Sequence, residues 1–156
     1  MKKNSIAIII PVFNVESYVN ETLLSVKKQL LPADEVIIVN DGSTDRSLDV
    51  INNFKDIHGW KIIDRSNHGL GVTRNFGRSI SNTDYVYFLD SDDTVKKDFI
   101  LIRHEIIKKY KEPDMILFSG ESFTTGYNKK MPNLKFSFNG QYFRNNKLIT
   151  KLVQKK

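Results

Sequence analysis

The sequence predicts an α/β fold, a mixed but mainly parallel sheet flanked by helices. Three observations carry this. The runs Ser5–Ile10 (SIAIII) and Glu35–Asn40 (EVIIVN) are β-branched and almost continuously apolar, the pattern of strands buried on both faces. After each of them apolar residues recur every three or four positions, as on amphipathic helices. The two signals then alternate along the chain, which implies parallel neighbours joined by right-handed crossovers.

Each element has its own warrant. Pro11 is expected to end the first strand, with Phe13-Asn14 as the turn. Val15, Val19, Leu23, Val26 and Leu30 then form a helical stripe, stopped by Pro32. After the second strand, Asp41-Gly42-Ser43-Thr44-Asp45 combines turn and cap chemistry. Leu48, Ile51, Phe54 and Ile57 mark a second helix, and Trp60–Asp64 a third strand. Asn67-His68-Gly69-Leu70-Gly71 is a loop, and Val72, Phe76 and Ile80 start a third helical stripe. Tyr85–Leu89 is too short and too apolar for anything but a fourth strand. Phe99, Ile102, Ile106 and Tyr110 predict a helix, and Met115–Phe118 a strand. Gly120–Pro132 reads as a loop or weak hairpin. Leu134, Phe136 and Phe138 suggest a half-exposed strand, and Leu148–Val153 a last helix.

The composition narrows the chemistry. The chain has 156 residues, 40% hydrophobic and 27% charged, which suits one globular domain over 1–156. It has no cysteine, so disulfides, thiolate metal sites and a cysteine nucleophile are excluded. The net charge of +6 is scattered over lysines; it suits anionic ligands or a membrane surface, and no nucleic-acid-binding signature accompanies it. Lys2-Lys3 and Ile6–Ile10 imitate the start of a signal peptide, but Pro11, Asn14 and Glu16 interrupt the apolar run. The chain therefore reads as cytoplasmic. His58, His68 and His104 lack metal-ligand spacing, and the Walker, G-x-S-x-G and H-E-x-x-H motifs are absent.

The polar residues gather in one place. In parallel α/β sheets ligands bind at the carboxyl ends of strands. Asn14, Asp41-Gly42-Ser43, Asn67-His68-Gly69 and Asp90-Ser91-Asp92-Asp93 follow strands one to four, which predicts a composite pocket. Three acids in four residues repel one another, and a hard divalent cation would relieve them; a solvated helix cap is the other reading. Asp41 can accept a hydrogen bond from a nucleobase N–H, or cap the helix that starts near Ser43, as Asp45 can. Gly69 and Gly71 precede a helix start suited to phosphate, and Arg74 can reach a diphosphate from there.

In order and spacing, four runs resemble the donor-binding half of family-2 glycosyltransferases with the Rossmann-like GT-A fold. They are IIIPVFN (Ile8–Asn14), EVIIVNDGSTD (Glu35–Asp45), NHGLGVTRNFG (Asn67–Gly77) and YVYFLDSDD (Tyr85–Asp93). The resemblance covers roughly residues 5–100. It implies an inverting enzyme that moves a sugar from a nucleotide diphosphate donor, a UDP-sugar by preference, to a saccharide or lipid-linked acceptor in surface polysaccharide synthesis. It implies peripheral work at the inner face of the membrane. It also implies a donor site of Pro11, Phe13, Asn14, Asp41, Asn67, Gly69, Arg74, Asp90 and Ser91, with Asp41 on the base and Arg74 by the diphosphate. Asp92 is implied as the ligand of Mn²⁺ or Mg²⁺, with Asp93 as an outer acid.

One family feature is missing. The acceptor base of such enzymes is an acid in a Glu-Asp pair downstream of the D-x-D strand, and no such pair follows Asp93. The chain is therefore expected to be the N-terminal portion of a longer enzyme. Glu121, just past the Met115–Phe118 strand, is the one in-chain candidate for the base. A non-catalytic nucleotide-sugar-binding module is the alternative. A nucleotidyltransferase would want a Gly-rich basic loop after strand one, which Pro11–Asn14 lacks.

Overall fold

The structure, a computed structural model, describes residues 4–116 and 142–143. Its elements are β1 (Ile6–Val12), α1 (Val19–Lys27), β2 (Glu35–Asp41), α2 (Ser47–Asn52), β3 (Trp60–Arg65), α3 (Leu70–Ser79), β4 (Tyr85–Phe88), α4 (Phe99–Lys109), β5 (Met115–Ile116) and β6 (Tyr142–Phe143). The first four strands form one parallel sheet in the order β3-β2-β1-β4. The expected α/β class and mainly parallel sheet are therefore present. The chain groups into two compact units, Met1–Ile106 and Ile107–Lys156.

The first unit holds the parallel sheet. Its central strands are the most apolar: Ile8, Ile9, Ile10, Ile37, Ile38 and Val39 are all fully buried. Such runs must be covered on both faces. The chain achieves this by reversing direction. Steps β1 to β2 to β3 run one way across the sheet, and the step to β4 runs back past β1. With a constant right-handed crossover, α1 and α2 fall on one face and α3 on the other. On the α3 face, Ile9, Ile37 and Val39 meet Phe76 and Ile80.

Pro11 does not end β1, as expected, but lies inside it opposite Val39. Leu89 donates its N–H to the Ile9 carbonyl, so Ile9 and Pro11 face the β4 side. The last β4 partner is Phe88, opposite Ile9. Pro11 therefore sits where the neighbouring strand has run out and no donor is required.

The stripe of α3 also differs from expectation. Val72 is half exposed, and the buried positions are Thr73 and Gly77, one turn apart. A Cβ on Gly77 would come within 2.5 Å of the Ile9 side chain. The missing side chain lets the helix lie directly on β1. Leu30 likewise lies beyond α1 and is 62% exposed.

In the second unit, β5 pairs antiparallel with β6 in a sheet of their own. Met115–Ile116 does not extend the parallel sheet, so the parallel-edge geometry that singled out Glu121 does not apply. Glu121 itself, the Gly120–Pro132 loop, the Leu134–Phe138 strand and the Leu148–Val153 helix lie outside the described residues.

Candidate functional site

A cleft of about 510 Å³ opens at the carboxyl edge of the parallel sheet, where β1 lies between β2 and β4. This is the switch point at which the strand order reverses, the usual ligand position in such sheets. β1 and its loop supply Pro11, Val12, Phe13 and Val15, and β2 ends in Asp41. The approach to α3 and its first turn supply Asn67, Gly69, Leu70 and Thr73. Asp90, Ser91 and Asp92 follow β4. The wall is thus apolar and aromatic on one side and carries three carboxylates on the others. Phe13 and Leu70 stand half exposed at it.

Asp41 is buried and tied to the chain after β3. One carboxylate oxygen accepts the His68 N–H at 3.0 Å, and the other the Gly69 N–H at 2.8 Å. Gly69 precedes α3 with φ 85°, a conformation that glycine adopts freely. Asp41 therefore anchors the start of α3 and not that of α2, where Asp45 accepts the Ser47 N–H at 2.9 Å. Burial pushes the Asp41 carboxyl upward. The Thr73 hydroxyl, the two N–H groups and the Arg65 charge outweigh it, so the net direction is down and Asp41 is an anion. Arg65 stacks on the Phe76 ring at 4.5 Å.

Asp90 forms an ion pair with Arg74 of α3. Arg74 reaches the cleft through this acid and is not itself part of the wall. Its Nε is buried without a hydrogen bond, so the guanidinium has donor capacity left. The Ser91 carbonyl accepts the Thr22 hydroxyl at 2.8 Å, which fixes the post-β4 turn to α1. The Asp93 carboxyl is pushed up by burial and then by the charges of Asp92 and Asp90.

These acids fit a cation only in part. Among the described residues no group of three His, Cys, Asp or Glu side chains converges on a metal position. Asp92 is the one cleft acid that is exposed and outside an ion pair with Arg74. A single carboxylate suits Mg²⁺ or Mn²⁺ when substrate phosphates complete the shell. The mutual repulsion that raises Asp93 is what a cation there would relieve.

Asn14 has a different role from the expected one. It does not line the cleft. Its side-chain oxygen accepts the Thr44 N–H at 2.8 Å, and its own N–H donates to Ser43 Oγ at 3.1 Å. Val15 donates to Ser47 Oγ, Glu16 to Asp45, and Arg46 to the Glu16 carboxylate. These bonds staple the loops after β1 and β2 together. Asn14 sits at φ 51°, a left-handed position that asparagine tolerates.

Of the expected donor residues, Pro11, Phe13, Asp41, Asn67, Gly69, Asp90 and Ser91 share the cleft wall, together with Asp92. Sequence reasoning missed Val12, Val15, Leu70 and Thr73. Thr73 could have been found from its spacing: it lies one turn before Gly77, on the face that must meet the sheet.

Comparison with known proteins identifies the family and the fold. A model of the family described as Glycosyl transferase family 2 matches residues 7–154. Glycosyltransferase GlyA of Streptococcus pneumoniae is 36% identical over 109 residues, 69% of this chain and 16% of that protein. The poly(ribitol-phosphate) beta-glucosyltransferase of Bacillus spizizenii is 36% identical over 72% of this chain and 18% of its own length. Among solved structures, Staphylococcus aureus TarS 1–349 in complex with UDP-GlcNAc superimposes with a TM-score of 0.70 at 27% identity, over 81% of this chain and 37% of that one. The chain thus spans well under half the length of these relatives.

Proposed function

The chain belongs to glycosyl transferase family 2, and from that premise we propose that it binds the donor of an inverting enzyme that moves a sugar from a UDP-sugar to a saccharide or lipid-linked acceptor of a bacterial surface polymer. The observation that carries this reading is the gathering of Asp41, Asp90 and Asp92 with the α3 start on one cleft at the strand-order switch. The UDP-GlcNAc complex of TarS, whose fold this chain shares, supports the choice of nucleotide.

Each cleft residue then has a task. Asp41, an anion, accepts an N–H of the base, and Phe13 and Leu70 offer it apolar surface. Arg74 turns its spare donor capacity to the diphosphate, where a guanidinium makes paired hydrogen bonds. Asp90 holds Arg74 in place and reaches the ribose and sugar side. Asp92 would hold the Mn²⁺ or Mg²⁺ ion, whose charge offsets the negative charge gained by the departing nucleoside diphosphate. The acceptor hydroxyl gives its proton to a carboxylate base and attacks the anomeric carbon opposite the diphosphate, which inverts that centre. The base lies outside the described residues, with Glu121 as one candidate.

No helix among the described residues is long and apolar enough to cross a membrane. The net charge of +6 supports work at an anionic cytoplasmic membrane face. A thermal-shift panel of nucleotide sugars with and without Mn²⁺ tests the reading. UDP-sugars should raise the melting temperature more with metal, and Asp92→Asn should remove the metal-dependent part. Equal or absent shifts across all nucleotides would contradict it.

A further inference from the structure

The α3 residue Thr73 buries a hydroxyl beside Asp41 that closes no hydrogen bond among the described residues. Its side chain is fully buried, and its Oγ1 has no hydrogen-bond partner. A helical threonine ordinarily returns this bond to the carbonyl one turn back. Here the Gly69 carbonyl takes only the Thr73 N–H, at 3.0 Å. Leaving a hydroxyl orphaned in the interior is costly. The group it lies beside is Asp41, whose negative charge it favours. Asp41 and Thr73 belong to the same cleft wall, and the Gly69 N–H held by Asp41 is one helical turn below Thr73.

A carboxylate has about four acceptor positions. The His68 and Gly69 N–H groups take one on each oxygen of Asp41. If Thr73 takes a third, one is left. A carboxylate with one free position can accept one N–H. It suits the single N–H of a uracil edge. It cannot pair with both of the adjacent N–H donors that a guanine edge presents, so guanine forgoes one bond.

We propose that Thr73 is a specificity-setting positioning residue: its hydroxyl donates to Asp41 when the donor nucleotide is bound, and so limits Asp41 to a single bond with the base. This rests on the donor reading above and extends it. Thr73 acts through Asp41 and need not touch the nucleotide.

The test is calorimetric titration of the protein with UDP, CDP and GDP, in the wild type and in Thr73→Val and Thr73→Ser. The wild type should prefer UDP. Thr73→Val frees an acceptor position and should cut the UDP-over-GDP preference roughly three- to tenfold, the range of one hydrogen bond. Thr73→Ser should restore it. A merely structural role would weaken all three nucleotides together and leave the ratio unchanged. If Thr73→Val does not fold, Thr73→Ala carries the same expectation. A wild type without preference for UDP would overturn the donor reading itself. A wild type that prefers UDP, with the same ratio in Thr73→Val or Thr73→Ala, would leave that reading standing and overturn the role of Thr73.

Discussion

Two polar clusters share one edge of the parallel sheet, and they are built on opposite principles. The loops after β1 and β2 close on each other: Asn14, Ser43, Thr44, Asp45 and Ser47 use their side-chain oxygens on one another's loops. The wall between Asp41 and Asp90 remains open. Thr73 Oγ1, Arg74 Nε and Arg65 Nη1 are buried there or just behind it without a hydrogen bond among the described residues. A structure meant only to be stable would satisfy these groups, because each unmade bond costs stability. Residue type alone therefore does not mark a site. Asn14 and Asp41 are both polar residues at strand ends, and only the second belongs to a surface with capacity to spare.

Asp41→Ala should have the largest effect on the open wall. It removes the acceptor of the His68 and Gly69 N–H groups and the proposed contact to the base. UDP affinity should fall by ~1–3 kcal/mol, the scale of a bond to a charged group. The melting temperature should fall as well, since the start of α3 loses its anchor. Calorimetry beside a thermal melt reads both.

Asn14→Ala is the counterpart in the closed cluster. It orphans the Thr44 N–H and should cost about 1 kcal/mol of stability. UDP affinity, titrated where the variant is folded, should stay within about twofold, since less than half a kcal/mol is then at stake. A loss of affinity equal to that of Asp41→Ala would erase the distinction between the clusters.

How much of this was legible beforehand follows from the kinds of signal involved. Ile8, Ile9 and Ile10 announce a buried strand because a β-branched run has few other uses, and β1 and β2 were readable for that reason. The motifs also placed Asp41, Gly69, Asp90 and Asp92 on one edge, because a parallel sheet sends every strand end the same way. Periodicity failed at α3. It scores Val72 as core and is blind to Gly77, whose value is the close approach to Ile9 that no apolar scale records. It also could not tell Asn14 from Asp41. That distinction depends on partners some thirty residues away, Thr44 in one case and His68 in the other. Pro11 misled through a local rule, since its missing donor matters only beside a continuing strand.

The smallest expected effect concerns pH. Burial pushes the Asp45 carboxyl up, but the Ser47 hydroxyl and the Glu16 and Ser47 N–H groups bring it below its ordinary value of 3.8. A carboxyl lowered on folding contributes stability that is fully present above 3.8 and is lost as pH falls through the folded value. Asp45→Asn should therefore melt slightly lower than the wild type at pH 7, and the gap should close in strong acid. A gap that persists unchanged at low pH would show that the charge of Asp45 contributes nothing to the staple.

On the proposed reading the open wall binds the nucleotide and the closed staple does not. Backbone amide shifts during a titration with UDP and Mn²⁺ test it most directly. The amides of His68, Gly69, Thr73 and Ser91 should move with a single binding curve, while those of Glu16, Thr44 and Ser47 stay in place. Shifts centred on the staple, with His68 and Gly69 unmoved, would contradict the claim.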